Sequence, residues 1–176
     1  MRALMFLAIT FALALSQTAS SQALNFAGTA PDRDDRSRLE SCVDLVQQSE
    51  TEMSFCVGIA VASCEQGFSG NTFDLVSCYS RELGFWDEML NINYRALRSD
   101  LNTQMKDNLR SIQLDWIKHR DDSCLFQYQL TDGTIAQIFH AACQNRATAY
   151  RAISLYNMVD YAHGDRAESV RRQAAR

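Results

Sequence analysis

Residues 86–94, WDEMLNINY, combine side chains that can do acid–base chemistry with side chains that fill a helix interface. Asp87 and Asn91 are one helical turn apart, at the edge of an apolar stripe that contains Trp86 and Tyr94. A catalytic carboxylate needs a second titratable group across a substrate space, with a different pKa. What Asp87 faces therefore decides whether this stretch does chemistry or holds helices together.

The following stretch of the sequence carries a polar row that can face Asp87 and Asn91. Cys124 must face a partner helix if it is bridged, and at helical spacing it carries Arg120 and Gln113 inward with it. Counted from the break between the two helices, Asp87 is nearly level with Arg120, and Asn91 with Gln113. We predict two structural polar layers, one pairing Asp87 with Arg120 and the other pairing Asn91 with Gln113.

Other catalytic and metal-binding patterns are absent from the sequence. There is no GxSxG motif, no glycine loop for phosphate and no CxxC pair, and the acidic cluster around Asp121 lacks a calcium-loop pattern. The three histidines do not share a metal-binding spacing: His119, His140 and His163. The sequence therefore predicts a protein that is not an enzyme and that uses no metal or other cofactor.

The six cysteines predict a disulfide framework, because their number is even and the chain begins like an exported protein. Residues at equal distance from the turn of an antiparallel helix pair lie level, close enough for a bridge. Three sequential bridges satisfy this rule: Cys42–Cys56, Cys64–Cys78 and Cys124–Cys143. A nested pairing of the first four cysteines, Cys42–Cys78 around Cys56–Cys64, remains an alternative.

The pattern along the chain predicts an all-α protein. One proline in 176 residues, apolar spacings of three and four, and few β-branched runs favour helices throughout. Turn signals divide the chain into about five helices, the last three long: 37–48, 51–66, 72–101, 104–130 and 134–161. We expect a disulfide-stapled antiparallel helical bundle.

Four segments with different roles follow from this division. Residues 1–23 have one arginine, an apolar run and small residues near the end, as in a secretory signal peptide. We expect a flexible linker over 24–36, one helical domain over 37–161 and a disordered basic tail over 162–176. The protein is then periplasmic or secreted, with no stable membrane anchor.

The charge of the chain limits the kinds of partner. The formal net charge is −4, and nucleic acid would require clustered lysine and arginine. An acidic protein can instead attract a basic partner through its electric field. Phe68, between two glycines in GFSGN, is a candidate partner contact.

From Cys78 to Leu155 the sequence resembles the LprI-type lysozyme-inhibitor domain, a family of bacterial envelope proteins. The residues that carry the resemblance are Cys78, Glu82, Trp86, Asp87, Leu90, Asn91, Tyr94, Gln113, Trp116, Arg120, Asp121, Cys124, Gly133, Cys143, Thr148, Arg151 and Leu155. The resemblance implies a small exported helical domain with disulfides. The namesake of the family is a lipoprotein that inhibits lysozyme, whereas this chain lacks the lipid-attachment cysteine.

The resemblance implies a non-enzymatic protein that binds a protein partner, with lysozyme as the named candidate. Many lysozymes are basic and have two carboxylates in their cleft, which suits an acidic inhibitor that inserts a hydrogen-bond donor. The alternative is a structural interaction module of the envelope that does not inhibit lysozyme. A third reading, an enzyme that acts on cell-wall material, has no supporting motif.

Overall fold

The computed structural model describes residues 28–48, 52–67 and 70–174, and the side chains of 28–47, 52–67 and 70–164. The expected signal peptide and the candidate contact Phe68 lie outside the described residues. The described chain is helical, without a strand, so the predicted all-α class is confirmed. Its elements are α1 Arg33–Gln48, a 3₁₀ turn Met53–Cys56, α2 Ile59–Glu65, α3 Thr72–Asp100, α4 Thr103–Gln129 and α5 Ile135–Ala174.

Helices α3 and α5 form the main interface of the bundle and run parallel to each other. Asn93 of α3 donates to the carbonyl oxygen of Ala152 over 3.3 Å. Nearer the carboxyl ends, Asp100 of α3 lies 3.1 Å from Nε2 of His163. Parallel α3 and α5 follow from the topology, because α4 runs back between their ends.

Helix α4 is antiparallel to α5 and packs on it rather than along α3. Arg151 donates to Gln113 at 2.9 Å, and the bridge from Cys124 to Cys143 closes the other end of the pair. Since α3 and α4 are both held against α5, a groove remains open between them.

The core lies where α3 meets α5, α1 and the 3₁₀ turn. Trp86 of α3 is fully buried, and its ring meets that of Phe85 edge to face, with centroids 5.2 Å apart. Leu39 of α1 and Leu155 of α5 are also fully buried. The apolar arc of α3 that the sequence shows is thus the face that it buries.

Polar side chains cap three of the helices at their first turn. Asn71 accepts from the backbone N–H of Asp74 at the start of α3, and Asn102 does the same for Met105 of α4. Asp32 accepts from the N–H of Asp35 and caps α1. These caps fix the boundaries of α3 and α4 to within one residue of the predicted ones.

The predicted helix over 51–66 is wrong, because two shorter elements occupy it. Gly58 has a φ of 95°, which is left-handed and interrupts a right-handed helix. The chain forms a 3₁₀ turn before this glycine and α2 after it. The predicted start of this helix, at residue 51, lies outside the described residues.

The first and last helices extend into the segments predicted as linker and tail. Helix α1 begins at Arg33, and the preceding residues lie against α3, where the N–H of Thr29 donates to the carbonyl oxygen of Ser80. At the other end, α5 continues to Ala174 instead of stopping at 161. In the part of the chain that the structure describes, no helix combines the length and hydropathy of a membrane span.

We expect Gly84→Ala to destabilise the protein by about 1–2 kcal/mol, because an added methyl group would overlap the carbonyl oxygen of Thr29. Urea unfolding followed by circular dichroism measures the change. The matched control is Gly164→Ala in α5, where an added methyl group meets nothing and improves helix propensity. Equal stabilities of the two variants would show that residues 28–31 do not pack on α3.

Candidate functional site

The four side chains of the predicted polar layers line one groove between α3 and α4. The groove has a volume of about 290 Å³. Asp87 and Asn91 come from α3, and Gln113 and Arg120 from α4. The remaining lining residues are Leu90, Tyr94, Arg110, Leu114, Trp116 and Ile117. The sequence therefore placed these four side chains on facing surfaces, although it did not show that the surfaces are apart.

On the α3 side of the groove, the polar side chains hydrogen-bond within α3. Asn91 donates through Nδ2 to the Asp87 carboxylate at 3.1 Å and to the Asp87 carbonyl oxygen at 2.8 Å. Both residues are exposed. The Asp87 carboxylate thus faces solvent and one amide, and Arg120 is not its partner.

The α4 side of the groove bonds to α5. Gln113, only 8% exposed, accepts from Nε of Arg151 at 2.9 Å. Arg120 donates to Asp121 at 2.8 Å and to the hydroxyl of Thr148 at 3.3 Å. The chain of contacts ends where Gln144 of α5 donates to Asp121 at 3.2 Å.

The predicted pairs Asp87–Arg120 and Asn91–Gln113 are therefore not formed. The cause is the position of α4, which leans on α5, so that α5 supplies the partners expected from α3. The predicted pairs were residues at equal distance from the turn between α3 and α4. That prediction assumed that consecutive helices pack along their whole length.

Trp116 stands in the groove with an arginine on each side. The guanidinium carbon of Arg120 is 5.0 Å from the centre of its ring, and that of Arg151 is 5.9 Å away. Both are cation–π distances, so the ring is held by two charges that are themselves hydrogen-bonded. These contacts orient the ring of Trp116 as an aromatic wall of the groove.

The carboxylate of Glu82 on α3 is fully buried and accepts five hydrogen bonds. Trp86 and Asn145 each donate to Oε1 at 3.0 Å. The other three donors are backbone N–H groups at the start of α2: Gly58 at 2.7 Å, Ala60 at 3.0 Å and Val61 at 3.1 Å. No side chain caps this helix locally, so Glu82 acts as its cap from α3.

Glu82 is the residue whose role sequence reasoning missed. Its membership in the family pattern was visible, as was its spacing of four from Trp86. Of its five partners, three are backbone groups more than twenty residues earlier, and Asn145 lies on α5. The sequence signal that was available is a carboxylate on the apolar face of α3, next to a tryptophan.

A second carboxylate, Asp35, is almost fully buried where α1 meets α3. It lies 2.9 Å from Nε of Arg81, whose guanidinium also reaches Asp32 at 3.2 Å. Burial raises the pKa of Asp35 above its ordinary value, and the charge of Arg81 acts in the opposite direction. This pair attaches α1 to α3 beside Glu82.

The cysteines form three bridges, Cys42–Cys56, Cys64–Cys78 and Cys124–Cys143, and none is free. The Cα atoms within each bridge are 5.5–5.8 Å apart. The nested alternative is not formed. The bridges attach α1 to the 3₁₀ turn, α2 to α3 and α4 to α5, so each joins neighbouring elements.

The groove presents side chains that can recognise a ligand. Within the described part of the chain, Asp87 has no titratable side chain within bonding distance, and Arg120 is paired with Asp121. Among the described residues, no group of three or more histidine, cysteine, aspartate or glutamate side chains could hold a metal ion. What the groove offers is an aromatic wall, an exposed carboxylate and amide, and guanidinium donors.

A model of the family described as "Lysozyme inhibitor LprI" matches residues 62–155, which is more than half of the chain. The chain belongs to the LprI lysozyme-inhibitor family. The resemblance stated from the residues alone is thereby confirmed. Neither the curated proteins nor the solved structures contain a match to this chain.

The LprI segment of the chain contains both sides of the groove and the Glu82 network except Gly58, Ala60 and Val61. It begins within α2 and ends within α5, so α1 and the 3₁₀ turn precede it. The bridge Cys42–Cys56 is therefore an addition to the segment that the LprI model describes.

We expect Glu82→Gln to lower the free energy of unfolding by about 3 kcal/mol, since the amide turns a donor toward groups that also donate. Urea unfolding measures the loss, with Glu65→Gln at an exposed carboxylate on α2 as the matched control. A cost below about 0.5 kcal/mol would show that the five hydrogen bonds do not hold α2 on α3 and α5.

We expect His140 to make the free energy of unfolding depend on pH. It is buried on α5 with its ring against Tyr128, and burial lowers its pKa below the ordinary 6.5, while the charge of Asp121 opposes the shift. Below pH about 6.5 the unfolded chain takes up a proton that the folded protein resists. The free energy of unfolding should therefore fall as the pH is lowered through this range.

Unfolding at pH 7.0 and 5.5 measures this dependence against the variant His140→Gln, which should lose part of it. His119→Gln removes an exposed histidine and should keep the wild-type slope. If both variants retained the same slope as the wild type, His140 would not be the group that responds.

Proposed function

We propose that this protein is exported to an oxidising compartment, in Gram-negative cells the periplasm, and binds and blocks a lysozyme without catalysis of its own. The observation that carries the proposal is the match of residues 62–155 to the LprI lysozyme-inhibitor family. The inhibitor name of the family supports a protein partner, and the groove offers recognition side chains without a catalytic pair.

Export is supported by the cysteines and by the start of the sequence. All six cysteines are bridged, and such bridges persist outside reducing compartments. The sequence of residues 1–23 is typical of a secretory signal peptide, which would leave a mature chain that starts near Leu24. We place the inhibitory domain from α1 to the end of α5.

The surface that we assign to the lysozyme is the α3–α4 groove. Arg110 is exposed at its edge, on the same helix as the fixed ring of Trp116. Lysozyme catalysis depends on two carboxylates in the substrate cleft, and an arginine is the side chain best suited to bind a carboxylate. The net charge of −4 would speed the encounter with a basic enzyme.

The test is a titration of lysozyme activity with the oxidised mature protein, residues 24–176. We expect stoichiometric inhibition that is lost after reduction, because the bridges hold the groove elements. Arg110→Ala should weaken inhibition about tenfold or more if its guanidinium enters the cleft. Arg95→Ala, at an exposed arginine of α3 outside the groove lining, is the matched control and should inhibit normally.

Two results would contradict parts of this proposal separately. Absence of inhibition at micromolar excess, against lysozymes of more than one class, would remove the inhibitor function and favour the alternative of an envelope interaction module. Inhibition that is equally strong with Arg110→Ala and Arg95→Ala would keep the function but exclude the groove as the contact surface. Phe68 would then be the next residue to replace.

A further inference from the structure

A second groove lies on the face of α5 opposite to the one that contacts α4. Most of its lining residues lie outside residues 62–155, the segment that the family model matches. One wall is α5, with Tyr150, Ile153 and Tyr156. The other wall is the end of α1 and the 3₁₀ turn, including Glu52 and Met53. Its volume is about 750 Å³, more than twice that of the α3–α4 groove.

This groove continues along α5 into a shallower hollow. The hollow has a volume of about 520 Å³ and shares Tyr150, Ile153 and Asn157 with the groove. Met158 and Tyr161 line its far part. From residue 150 to residue 161 a helix rises roughly 17 Å, which matches about five residues of extended polypeptide. The surface therefore has the dimensions of a peptide-binding site.

The charges along this surface have one sign. Glu52 and Asp160 contribute carboxylates, and among the residues whose side chains the structure describes, no lysine, arginine or histidine lines either part. Glu52 is exposed, and its carboxylate accepts a hydrogen bond from the hydroxyl of Ser54 at 3.1 Å. Asp160 is exposed as well. A cationic ligand in this groove would therefore meet two carboxylates that are open to solvent.

The apolar part of this surface is aromatic and partly open. Tyr150 is 51% exposed and Tyr161 is 72% exposed, while Met53 lies buried at the base of the groove. Burial, and after it the charge of Asp160, raises the pKa of Tyr156 above its ordinary value, which is consistent with a carboxylate next to a partly dry phenol. Tyrosine faces accept the stems and charged heads of lysine and arginine.

We propose that this surface, which we call the acidic groove, is a docking site for an extended segment of a partner protein that carries lysine or arginine. Its carboxylates would pair with the cationic heads, and its tyrosines would cover the stems. The proposal rests on the proposed function for the view that the natural partner is a basic protein. The chemistry of the acidic groove itself does not require that the partner be a lysozyme.

The test uses a labelled octapeptide of alternating lysine and alanine and measures binding to residues 24–176 by fluorescence polarisation. The matched peptide with glutamate in place of lysine should not bind. Replacing both carboxylates, in Glu52→Gln with Asp160→Asn, should weaken binding of the lysine peptide about tenfold. The control Glu65→Gln with Asp107→Asn removes the same charge from exposed positions outside the groove and should weaken binding less than twofold.

A second pair of variants tests the aromatic part. Tyr150→Ala should weaken peptide binding several-fold, whereas Phe126→Ala, at a ring on α4 that is 60% exposed, should leave it unchanged. Since Tyr150 and Phe126 are both largely exposed, both variants should keep the wild-type melting temperature. Equal losses for the groove and control carboxylates would mean that only the overall charge attracts the peptide, and would overturn the proposal.

Lysozyme inhibition measured on the same variants separates this proposal from the proposed function. Peptide binding that depends on Glu52 and Asp160, in a protein that inhibits no lysozyme, would keep the acidic groove and remove the inhibitor function. Inhibition of lysozyme by a protein that does not bind the lysine peptide at millimolar concentration would keep the inhibitor function and remove the acidic groove as a docking site.

Discussion

The buried carboxylate of Glu82 is the contact on which the arrangement of three helices depends. It lies on α3, accepts three backbone N–H groups of α2 and its approach, and accepts the amide of Asn145 on α5. A charge removed from water is tolerated only when such donors surround it. Because these donors come from separate elements, Glu82 requires all three to be in place at once.

The α3–α4 groove follows from the same arrangement. With α5 positioned on α3 through Asn145, the polar face of α5 is available for α4. Gln113 and Arg120 then find their partners on Arg151 and Thr148 of α5, and the bridge from Cys124 fixes the distance. These polar side chains of α4 have their partners on α5, so α4 does not need to pack along α3. The space between α3 and α4 therefore remains open as the groove.

Local features of the sequence account for what could be predicted. Asn71 and Asn102 are helix caps within three residues of their hydrogen-bond donors, so the ends of α3 and α4 can be located without tertiary information. The all-α class and the family likewise follow from periodicity and from residue patterns spread over many positions. The cysteine spacing indicated which elements are neighbours, because it measures distance from each turn.

What could not be predicted depends on contacts that are distant in sequence. Gly58 interrupts a pattern that is otherwise helical, and its left-handed φ is stabilised by a carboxylate 24 residues later. The partners of Gln113 and Arg120 were predicted on α3 and lie on α5. A helical wheel shows the face on which a residue lies, but it does not show which helix packs against that face. The acidic groove combines residues from both ends of the chain and has no local motif.

The order of the bridges has a consequence for how the protein reaches its oxidised state. Each cysteine is joined to the next one along the chain, with sequence separations of 14, 14 and 19. A polypeptide that enters an oxidising space with its amino end first would expose each cysteine before its partner and before those of the later bridges. Pairing in order of arrival would then produce the native set without reshuffling of early crosslinks.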